Sequence, residues 1–160
     1  MRKSIYLLLI VLLVPLAHAR EIRLRWGDSV EIKNLDQARK TAEAEKKLIT
    51  VIIGLPKYDS ETRGAQQTVD VIEDTIKALK GSSVIVKGTF EEVRALKQGD
   101  VFNIALAEGV QKAGSSLPMI IVLNPAEKKL IQVIAPNDVL KDGSRAFREV
   151  KKIARDLKKK

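Results

Sequence analysis

The sequence predicts an α/β domain: a mainly parallel sheet, helices between its strands, and a terminal antiparallel hairpin. Three observations predict it. Leu117 to Leu123 is an unbroken apolar run, led by Pro118 and ended by Asn124-Pro125. Its brevity and its β-branched residues mark a strand buried on both faces. Leu48 to Leu55 (LITVIIGL) is a second buried strand, ended by Pro56. Helical patterns separate the apolar runs, and parallel strands need crossovers of that kind.

The elements follow in order. From Glu21 to Trp26 the chain alternates, with Ile22, Leu24 and Trp26 opposite Arg23 and Arg25. That pattern marks a short half-buried strand or an extended lead-in. Asn34 is placed to cap a helix, with Gln37 three residues on. Leu35, Ala38 and Ala42 give that helix a narrow apolar stripe, suited to covering a sheet edge. After the strand at 48–55, Asp59 or Ser60 is placed to cap the next helix. Val69, Ile72, Ile76 and Leu79 form its core stripe, and Gly81 is its expected stop. Gly64 weakens its start by about 1 kcal/mol relative to Ala.

Ser83 opens a third strand, and a short helix is expected over 91–98, with Thr89 or Phe90 near its start. Phe102, Leu106 and Val110, spaced by four, predict a helix over 101–112. Pro118 donates no backbone hydrogen bond, so it belongs at the first position of its strand. Asn124 to Lys128 is a turn, and Leu130 to Ile134 returns as the partner of a hairpin. One final helix closes the chain, burying Phe147, Val150, Ile153, Ala154 and Leu157.

Residues 1–19 read as a signal peptide and residues 20–160 as one domain. Arg2 and Lys3 precede an apolar run from Ile5 to Leu16, and Ala17-His18-Ala19 matches a cleavage site. The run falls short of the ~20 apolar residues a span requires. An exported chain, periplasmic or secreted and without a stable membrane span, is expected to start at Arg20. Losing Arg2 and Lys3 lowers its net charge from +9 to +7.

The chain has no cysteine, and its one histidine, His18, lies in the leader. The domain therefore has no Ser-His or Cys-His nucleophile in its usual form. It also has no imidazole or thiolate for zinc or copper. Asp138, Asp142 and Glu127 make no recognisable metal loop, so neither metal nor cofactor is expected. The lysines and arginines are spread along the chain with few aromatics among them. A solvated surface is the simplest reading of that charge, with an anionic envelope surface as the next. No nucleic-acid partner is expected.

Residues 26–157 resemble the thioredoxin-like superfamily. Trp26 followed by a helix and then KKLITVIIG looks like the opening of its exported members. SLPMIIVLNP resembles the family's cis-proline loop and the strand after it, and NPAEKKLIQVI resembles its hairpin. The resemblance implies a three-layer sandwich, a central mixed sheet with helices on both faces, and a cis Leu117–Pro118 bond. An X–Pro bond adopts cis at a cost of only about 0.5–1 kcal/mol.

The family's C-x-x-C would fall near Tyr58 to Arg63, where this chain reads YDSETR. Asp59 and Thr62 take the cysteine spacing, and neither can form a mixed disulfide, so dithiol chemistry does not carry over. What carries over is a groove lined by Tyr58, Asp59, Ser60, Thr62, Leu117 and Pro118. The expected role is non-catalytic: a module binding a protein or peptide partner in the cell envelope. The alternative is an enzyme or redox-pathway accessory using the same groove without thiols. Glutathione transferases of similar fold place Ser or Tyr near this helix start, and Tyr58 or Ser60 could imitate that.

Overall fold

Two runs of alternating apolar side chains fill both faces of one sheet. Leu48 and Ile52 of β2 (Leu48–Ile53) and Ile120 and Val122 of β4 (Met119–Asn124) enter one core layer. Ile49, Val51 and Ile53 of β2 and Met119, Ile121 and Leu123 of β4 enter the other. All twelve residues of the two strands are buried, because a strand covered on both sides has no solvent face to mark with polar residues. The computed structural model describes residues 20–97 and 99–159. The signal peptide assigned to residues 1–19 lies outside them.

The described residues form a mixed α/β fold of five strands and six α-helices, compatible with a three-layer sandwich. The remaining strands are β1 (Val30–Glu31), β3 (Ser83–Gly88) and β5 (Lys129–Ile134). The helices are α1 (Leu35–Ala44), α2 (Ala65–Leu79), α3 (Phe90–Arg94), α4 (Val101–Ala113), α5 (Pro136–Ala146) and α6 (Arg148–Lys159). The sheet order is β1-β3-β2-β4-β5. Side chains of α2, α5 and α6 pack into the layer with Leu48 and Ile52. Those of α1 and α4 pack into the opposite layer. Gly109 lets α4 sit close to the sheet, since a Cβ there would collide with the Ile121 side chain.

The sheet is less parallel than the strand-and-helix alternation predicts. β1 and β2 run parallel to β3, but β4 runs antiparallel to β2 as well as to β5. Gly88 and Met119 both face Ile53 across the sheet. The excursion through α3 and α4 therefore returns to the end it left, instead of crossing over.

Local chemistry sets the helix starts. Thr89 closes a full capping box, accepting from the Glu92 N–H while the Glu92 carboxylate accepts from the Thr89 N–H (2.8 Å). Asp100 Oδ1 accepts from the Phe102 N–H (2.9 Å) and so caps α4.

Four expectations are corrected. Asn34 makes no side-chain cap, because a 3-10 turn (Ile32–Asn34) leads directly into α1. Neither Asp59 nor Ser60 caps α2, which starts only at Ala65, behind Gly64 at φ 82°. Gly81 does follow the C-cap, Lys80, where α2 ends, but it is not in the left-handed conformation expected of a C′ glycine. The single terminal helix is two, with Asp142 at φ −159°, ψ 83° inside α5. The Asp142 carboxylate accepts from the Arg145 N–H (3.0 Å), a local bond that competes with continuous helix.

Candidate functional site

The sheet register gathers one set of loops at a single end. Ile53 faces both Gly88 and Met119, and Ile120 faces Ile134. The loop after β2, the start of α3, the proline before β4 and the exit from β5 therefore share that end. The Leu117–Pro118 bond is cis, as the resemblance implies.

Of the six predicted site residues, Tyr58 is the most displaced from its expected role. Its side chain folds back under the end of β2 and is 4% exposed. The Tyr58 hydroxyl accepts from the Leu55 N–H (3.0 Å), and a Cβ on Gly54 would collide with it. Burial pushes its phenol above the ordinary tyrosine range, and the Leu55 N–H offsets part of that. Tyr58 belongs to the core, beside Val69 and Ile72.

Asp59, Ser60 and Thr62 hold the loop together. Asp59 Oδ1 accepts from the Glu61 N–H (2.9 Å), and the Asp59 carbonyl accepts from the Thr62 N–H (3.0 Å). The Thr62 carbonyl accepts from the Ala65 N–H as α2 begins (3.0 Å). The outer edge of this loop is occupied by the chain itself. The Ile22 N–H donates to the Tyr58 carbonyl (2.8 Å), and the Ser60 N–H donates to the Arg20 carbonyl (3.0 Å). The Arg20 N–H donates to the Ser60 hydroxyl (3.2 Å). Ile22, Leu24 and Trp26 then pack against the core from outside. The alternation at 21–26 signalled an extended segment, but not that it would seal this edge.

Leu117 and Pro118 line a different space. A cavity of about 440 Å³ lies between the end of α4 and the β5–α5 junction, with Lys112, Ser116, Leu117, Pro118, Ile134 and Pro136 in its wall. A second cavity, of about 290 Å³, lies between the strap at 21–26 and the 55–58 loop. The two share no lining residue. The two halves of the predicted groove thus share an end of the sheet but not a cavity.

The Pro118 cavity is lined mostly by apolar side chains. Among the described residues, Lys112 is the only ionisable side chain in its wall, and it pairs with Glu108 (2.7 Å). No carboxylate of the described residues lines it. Pro118 is buried, whereas Ser116 and Leu117 face solvent. Among the described residues, the Leu117 N–H and C=O have no hydrogen-bond partner. Nor do His, Asp and Glu side chains converge there into a group able to hold a metal ion. No described helix is long and apolar enough to cross a membrane.

Comparison with protein-family models, characterised proteins and solved structures finds no match for this chain.

Proposed function

We propose that this chain is an exported thioredoxin-like module without redox cysteines, which binds an extended segment of a protein partner in the cell envelope. The proline loop opening β4 and the β4–β5 hairpin support the thioredoxin-like reading. One observation carries the binding role: the unpaired Leu117 backbone beside an open, mostly apolar cavity. An extended peptide would satisfy both backbone groups, and the cavity would take one of its side chains, as in strand addition. The 58–60 edge is already paired to Arg20 and Ile22, so the peptide binds on the α4–β5 side. The buried Tyr58 hydroxyl is spent on the Leu55 N–H, which disfavours the alternative of a tyrosine activating a bound thiol.

Selection of random displayed peptides on the chain starting at Arg20 tests this. Peptides should be enriched, and on binding they should shift the amide resonances of Ser116, Leu117 and Ala135 most. No enrichment, or shifts centred on residues 58–60, would overturn the reading.

A further inference from the structure

The proposed groove does not use α6. Its apolar side, Val150, Ile153, Ala154 and Leu157, packs into the core. At 3.6 residues per turn, Arg148, Lys151, Lys152, Arg155, Lys158 and Lys159 fall within an arc of about 120° on the other side. All six are exposed. Glu149 and Asp156 flank the arc without entering it, and the one ion pair along it joins Lys159 to Asp156 (3.5 Å). Among the described residues, Arg148, Lys151, Lys152 and Lys158 pair with no carboxylate. The result is a straight stripe of these six cations along a 12-residue helix, about 18 Å long.

We propose that this stripe docks the protein on the surface of an anionic lipid bilayer. A straight row of cations on one helix face matches a flat sheet of headgroup phosphates. Residues 148–159 contain no aromatic side chain, and Phe147 before them is 2% exposed. The face thus lacks the stacking platforms that single-stranded nucleic acids use. The apolar run from Ile5 to Leu16 would deliver the chain to a membrane in the first place. Because the apolar side of α6 is committed to the core, the helix rests on the headgroups without inserting. The contact is therefore electrostatic and sensitive to salt.

Residues 20–159 contain all five strands and both core layers, so the chain starting at Arg20 carries its own core and is the protein to use. It should co-sediment with phosphatidylcholine vesicles containing phosphatidylglycerol, but not with phosphatidylcholine alone. Each cation near an anionic surface contributes about fivefold in affinity. The triple variant Lys151→Gln, Lys152→Gln, Lys158→Gln should therefore bind about a hundredfold more weakly. The triple variant Lys33→Gln, Lys40→Gln, Lys97→Gln makes the same charge change on the α1–α4 side and should lose only a few-fold. Raising salt from about 0.1 M to about 1 M cuts the Debye length from about 10 Å to about 3 Å and should release the protein. Equal losses in the two variants, or binding that survives high salt, would overturn the proposal. Tighter binding to duplex DNA than to vesicles at equal phosphate would assign the stripe to nucleic acid instead.

Discussion

Tyr58 shows how burial reassigns a reactive side chain. Its hydroxyl is held against the Leu55 N–H under the end of β2. The phenolate is disfavoured there because desolvation outweighs the single hydrogen bond. The folded chain therefore holds this proton more tightly than the unfolded chain does. The associated stability is fully present below the unfolded value of about 10 and is lost as pH rises through the higher folded value. From Arg20 onward Tyr58 is the only tyrosine, so tyrosinate absorbance reports it alone. It should titrate above 10, and a midpoint at or below 10 would contradict the burial argument. Tyr58→Phe leaves the Leu55 N–H without its partner and should cost about 1–3 kcal/mol in urea unfolding. It should also remove this alkaline loss of stability.

Helix α4 is tied at its start by one aspartate. Asp100 caps the helix through the Phe102 N–H and pairs with Arg39 of α1 (3.0 Å). The Arg39 guanidinium also lies over the Phe102 ring, 5.7 Å from its centre. The Phe102 N–H, then Arg39, hold the Asp100 carboxyl below the ordinary range. That stability is present above the unfolded value of about 3.9 and is lost as pH falls through the folded value. Asp100→Ala removes the cap and should cost about 1 kcal/mol at neutral pH. Asp100→Asn keeps an acceptor and loses only a partly exposed ion pair, so it should cost a few tenths. The wild type and the Asn variant should converge in acid. Equal losses for Ala and Asn at neutral pH would mean that the charge, not the cap, holds the helix start.

At the scale of the whole molecule, the proposed groove lies at one end of the sheet and the cationic face of α6 on another surface. The strap at 20–26 ties the first described residues to the loop at 58–60. Protein recovered from the exported fraction should have the mass of a chain starting at Arg20. Retention of Met1 there would refute the cleaved-leader reading. The core does without covalent help, since the chain has no cysteine.

Much of the fold was legible because burial leaves a compositional mark. LITVII and MIIVLN are apolar but for Thr50 and Asn124, since a central strand meets side chains on both faces. The α2 and α4 stripes recur every three to four residues, since one side of each helix meets the sheet. The strand β1 left no such mark, being two residues long. The break at Asp142 depends on one side-chain bond that competes with the helix ladder.

The sequence by itself determined the two central strands, the buried faces of α2 and α4, the proline loop and the absence of thiol and imidazole after His18. Only the tertiary structure decided the direction of β4, the burial of Tyr58, the pairing of residues 20–22 with the 58–60 edge, and the separation of that edge from the Pro118 cavity. These depend on contacts between distant segments. Periodicity reports which face of an element is covered, but not which part of the chain covers it.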